Sequence, residues 1–110
     1  MTVAASGTNA KGTAAYERRR RAPKGKTVTV PDSDLVNLDQ TIAAFIAPRI
    51  KAFRARNEGW PVGFKTAAEW DAALETMQVA FERLADDDLF DDRVQPGLTL
   101  FSKHLQDLWI

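Results

Sequence analysis

The chain has no cysteine, which excludes disulfides and thiolate metal sites and leaves the redox compartment unstated. Its single histidine, His104, is one ligand where a metal site needs several. No apolar run approaches the roughly 20 residues that a membrane-spanning helix requires. No apolar block of the kind found in a secretory signal stands near Met1. Acids are almost missing from the first 31 residues, where Glu17 stands alone against seven bases.

What is present is a division of charge near Pro31. Lys11, Arg18, Arg19, Arg20, Arg21, Lys24 and Lys26 give the first 31 residues a formal charge of +6, while residues 32–110 carry −6, so the net charge of zero hides two opposite halves. We read residues 1–31 as a disordered basic arm and 32–110 as a helical domain. The arm holds one aromatic, Tyr16. With little else to bury, it cannot offset the entropy lost on ordering. The remaining 79 residues form a small core that benefits from good packing or a partner.

Helical spacing dominates the second part. Leu38, Ile42, Phe45, Ile46, Ile50 and Phe53 recur at intervals of three and four, predicting a first helix from Leu38 or Asp39, capped by Asn37 or Asp39. Pro48 lies inside this pattern and should kink or divide the helix; Gly59 should stop it. Thr66 followed by Glu69 is a capping box. It opens a second helix to about Ala85, with Trp70, Leu74, Met77, Phe81 and Leu84 facing the core. A third helix should begin between Asp92 and Gly97 and run to the end, burying Leu98, Phe101, Leu105 and Leu108, with Leu100 and Trp109 at its margin. The expected fold is all-α, a small bundle of three principal helices behind the basic arm.

Arg18, Arg19, Arg20, Arg21, Lys24 and Lys26 are the leading candidates for a polyanion site. Closely spaced cations neutralise successive phosphates and release counterions. No base-reading motif accompanies them, so binding to nucleic acid should be nonspecific; a solvated tail is the plain alternative. Arg49 and Arg56, seven residues apart and thus nearly on one helical face, could hold a phosphate-bearing ligand, although salt bridges to neighbouring helices account for such cations equally well. Trp60 and Trp109 are candidate interface anchors, or core. Asp86, Asp87, Asp88, Asp91 and Asp92 do not form an EF-hand loop, because Asp91 and Gly97 stand where the glycine and the glutamate belong. His104 reads as a packed or surface residue. No catalytic constellation, metal site or cofactor motif is evident, and Ser33 and Ser102 have no basic partner in view.

Three blocks occur in order: Leu38-Asp39-x-Thr41-Ile42-Ala43-x-Phe45-Ile46-x-Pro48-Arg49-Ile50-Lys51-x-Phe53; Glu69-Trp70-Asp71-x-x-Leu74-x-x-Met77-x-x-Ala80-Phe81-Glu82; and Gly97-Leu98-x-Leu100-Phe101-x-Lys103-His104-Leu105-x-Asp107-Leu108-Trp109. Over residues 38–109 the chain resembles a group of small uncharacterised proteins of tailed bacteriophages; the arm lies outside the resemblance. What the resemblance implies is a viral origin and a place in the host bacterial cytoplasm or the virion, without catalytic residues. The expectation is a noncatalytic phage accessory protein, a helical interaction module that self-associates or binds a protein partner while its arm touches nucleic acid. The alternatives are a small inhibitor or sponge that counters a host defence system by binding a protein or nucleotide, and a minor virion component. No cofactor and no membrane contact are expected.

Overall fold

The computed structural model describes residues 28–88 and 90–110; the basic cluster Arg18–Arg21 with Lys24, and Lys26 beside it, lies outside them. The described residues form an all-α bundle without strands. A single turn, α1 (Ser33–Val36), precedes the three principal helices α2 (Leu38–Arg56), α3 (Ala67–Ala85) and α4 (Val94–His104), and a 3₁₀ turn follows at Leu105–Asp107. The central element is α3, with α2 and α4 both packed against it.

The turn α1 was not expected from the apolar spacing. Asn37 breaks the chain between α1 and α2 with φ −129° and ψ 71° and makes no side-chain cap. Thr41 Oγ1 instead donates to the Asp34 carbonyl at 2.9 Å, strapping α1 to the first turn of α2.

Pro48 does not divide α2, which runs unbroken for 19 residues. Pro48 and Ala44, whose carbonyl loses its helical donor, are both exposed, so water can satisfy that carbonyl. Nor does Gly59 stop the helix. It ends earlier, at Asn57, whose backbone is extended (φ −75°, ψ 134°) and whose N–H still donates to Phe53 O; the Asn57 side-chain amide then reaches Gly59 O.

The connection to α3 folds inward at Pro61, which is fully buried. Trp60 and Phe64 pack against the core beside it. Phe64 N–H donates to Pro61 O at 3.2 Å, and Gly63, at φ 107°, supplies the left-handed residue that this turn needs. Thr66 Oγ1 accepts from Glu69 N–H at 3.2 Å. Glu69 reaches past Thr66 to the Lys65 N–H at 2.8 Å, so the capping box is shifted by one residue.

The acid run is part of the helix boundaries. Asp87 has φ 61° and ends α3 in a Schellman arrangement, with Asp87 N–H on Leu84 O at 3.0 Å and Asp88 N–H on Arg83 O at 2.8 Å. Asp91 Oδ1 accepts the Arg93 N–H at 2.9 Å just before α4. The same carboxylate grips the Arg93 guanidinium at 2.8 and 2.5 Å, and those hydrogen bonds hold Asp91 well below the usual carboxylate range.

The core is built on α3: of the expected stripe Trp70, Leu74, Met77 and Phe81 are buried and Leu84 is half-buried, and Ala73 and Ala80 beside it are buried as well. Gly97 of α4 abuts α3 so closely that an added Cβ would meet the Ala80 methyl and stand 2.6 Å from Thr76 O. The third helix does not run to the end as expected. It tightens into the 3₁₀ turn, which leaves Leu105 exposed and carries Trp109 into the core. A continued α-helix would have done the reverse, so these two expected positions are exchanged.

Candidate interaction surfaces

Arg49 and Arg56, the expected phosphate-ligand pair, stand on the surface of α2 without a shared target. Arg49 Nη1 donates to Phe45 O at 2.9 Å, and its guanidinium lies 3.7 Å above the centre of the Phe45 ring. Arg56 Nη1 donates to Ala52 O at 3.2 Å. Each is thus turned back one turn onto its own helix. Of the two cations between them, Lys51 and Arg54, the second is committed elsewhere: Arg54 forms a two-pronged pair with Asp71 and donates its third bond to Gln78 Oε1, each at 2.9 Å. Gln78 in turn donates to Glu82 at 2.9 Å. This polar seam joins α2 to α3. The Arg54 hydrogen bonds draw the Asp71 carboxyl below its ordinary range against the opposing cost of burial.

His104 is buried, with its ring 5.2 Å from Phe64 and 5.4 Å from Trp70. Its Nδ1 lies 3.1 Å from Asp107 Oδ2, a contact that also pins the 3₁₀ turn to α4. Among the described residues no group of His, Cys, Asp and Glu could hold a metal ion, and no helix is long and apolar enough to cross a membrane. Of the two candidate tryptophan anchors, Trp109 is buried in the chain's own core and Trp60 is half-buried against it.

A surface that the periodicity concealed lies on α2. The apolar stripe that predicts this helix includes Leu38, Ile42 and Phe45, and these are 47%, 46% and 58% exposed. The line that α2 buries is Ala43, Ala47 and Ile50. The two alanines there allow close approach to α3; Ile46 and Phe53 pack partly against the core, and Leu38, Ile42 and Phe45 are left on the outer side. Both lines repeat at helical intervals, so one sequence pattern holds two apolar faces. The spacing alone does not say which is inward; the alanine pair at an interval of four was the available signal. Next to the outer face runs a groove of about 240 Å³ lined by Phe45, Ile46, Arg49, Ile50, Phe53, Phe101 and Leu108. A larger depression of about 420 Å³ between α3 and the start of α4 is lined by Glu75, Thr76, Val79, Asp92, Arg93 and Pro96. Its charges are mixed, and Arg93 is already held by Asp91.

No protein-family model, curated protein or solved structure matches this chain.

Proposed function

We propose that this is a noncatalytic phage accessory protein whose helical body makes protein contacts, including with itself, and whose basic arm touches nucleic acid nonspecifically. The observation that carries the reading is the division of charge, +6 before residue 32 and −6 after it. A cationic segment attached to an anionic body is drawn to polyanions through the segment alone, because the body repels them. The interior of the body supports a role without chemistry. Its one histidine is enclosed by Phe64, Trp70 and Asp107, so it offers no surface base. Phage origin and a place in the host cytoplasm or the virion rest on the three sequence blocks.

The test is titration of a fluorescent DNA duplex with the full chain across a salt series. If the arm engages about six phosphates, log affinity falls with log salt at a slope near −5. Replacing Arg18, Arg19, Arg20 and Arg21 by Gln should flatten the slope by about 4 and leave sequence preference absent. Binding that ignores those four substitutions but is lost with Arg49→Gln and Arg56→Gln would overturn the arm reading. It would favour a ligand-sequestering protein instead.

A further inference from the structure

Seven of the eleven large hydrophobic residues exposed among the described residues fall between Val28 and Phe45. A stretch of chain so dense in exposed apolar side chains marks a contact surface. Along α2, Leu38, Ile42 and Phe45 follow at i, i+4 and i+7, the spacing of a helix face that meets another helix. The charges around this face are ordered. From residue 28 to 48 every charge is acidic (Asp32, Asp34, Asp39), and from 49 to 57 every charge is basic (Arg49, Lys51, Arg54, Arg56). Acids at the start and bases at the end favour the helix dipole. That explains the charges but not the uncovered apolar face between them.

We propose that this face of α2 pairs antiparallel with the same face of a second copy, about a twofold axis near Phe45. This names the partner and surface for the protein-contact half of the function proposed above. A twofold interface must be complementary to itself. Antiparallel pairing lays the acidic end of one α2 over the basic half of the other, whereas parallel pairing sets like charges together. Centring the contact on Phe45 places Asp39 of one copy within reach of Arg49 of the other, on the same side of the helix pair. Phe45 then meets its own symmetry mate beside the groove whose far wall is Phe101 and Leu108. The occupant is a second copy because its α2 carries both the apolar line and the opposite charge order that this face requires.

Sedimentation of the full chain over a range of concentrations tests this separately from DNA binding, so either proposal can fail alone. The expected result is a reversible dimer that Phe45→Glu weakens about thirtyfold or more. Helicity and melting should hold for that variant at low concentration, because the residue is already exposed. Asp39→Lys should weaken the dimer, and adding Arg49→Glu should restore it. In a chain without native cysteine, Phe45→Cys should oxidise to a covalent dimer, since helices 8–10 Å apart bring such positions within disulfide reach. The exposed Val62→Cys should not. A monomer at every concentration overturns the proposal. So does a dimer indifferent to Phe45→Glu, or chemical cross-links showing Lys24 or Lys26 of the same chain seated on Lys51, which would make the arm the occupant.

Discussion

Helices α2 and α3 are each 19 residues long, and they dispose of their apolar residues in opposite ways. In α3 the large side chains, Trp70, Leu74, Met77 and Phe81, are buried. In α2 the residues buried are Ala43, Ala47 and Ile50, while Leu38, Ile42 and Phe45 face outward. A central helix touched on two sides leaves none of its large apolar residues exposed. An outer helix needs one face for its neighbour, so a second apolar face on it is unspent hydrophobic surface. The contrast teaches that helical periodicity reports apolar faces and leaves open how many of them a single chain covers.

Substitutions can break that contrast or sharpen it. Trp70→Ala should cost about 3–5 kcal/mol in a denaturant melt, the cost of a large core cavity. Phe45→Ala, measured where the chain is monomeric, should stay within about 0.5 kcal/mol. Comparable losses at the two positions would mean that Phe45 is packed and that the outer face does not exist. Gly97→Ala addresses the other side of α3. The new methyl would strike Ala80 and Thr76, so destabilisation of about 1–3 kcal/mol is expected from overpacking; a gain in stability would show that α4 can step back freely. A smaller loss than at Gly97 is expected at the polar seam between α2 and α3. Arg54→Ala should cost about 1 kcal/mol, because Asp71 is half exposed and the pair is screened. Asp71 titrates lower in the folded chain than in the unfolded one. Its contribution is therefore present above the ordinary carboxylate range and is lost as pH falls through the lowered folded value. Acid unfolding followed by circular dichroism should accordingly differ between wild type and Arg54→Ala at neutral pH and converge at strongly acidic pH. A constant offset at every pH would assign the effect to packing of the arginine stem.

Much of this architecture was legible beforehand where one local signal had one meaning. Thr66 and Glu69 announced the start of α3, since few other arrangements satisfy the free N–H groups of a first turn. The stripe from Trp70 to Phe81 named the core, because α3 has a single set of large apolar residues. The candidate interaction surface was not legible. Leu38, Ile42 and Phe45 had the same spacing as core residues, and only the position of α3 against the alanine line turned them outward. For the acid run the sequence spacing excludes an EF-hand loop, but it does not show how Asp87 and Asp91 close one helix and lead into the next, through a left-handed backbone and a side-chain hydrogen bond. Neither leaves a trace in hydropathy.

By itself the sequence determined the existence of the three principal helices, the opposite charges of the arm and the body, and the impossibility of a disulfide; these follow from local periodicity, side-chain chemistry and composition. Only the tertiary structure decided which side of α2 is inside, that Trp109 is core while Leu105 is surface, and that His104 is enclosed by Phe64, Trp70 and Asp107. Those outcomes depend on where one helix surface comes to rest on another. That position is set by the close approach at Gly97 and the small residues of α2, contacts between segments far apart along the chain.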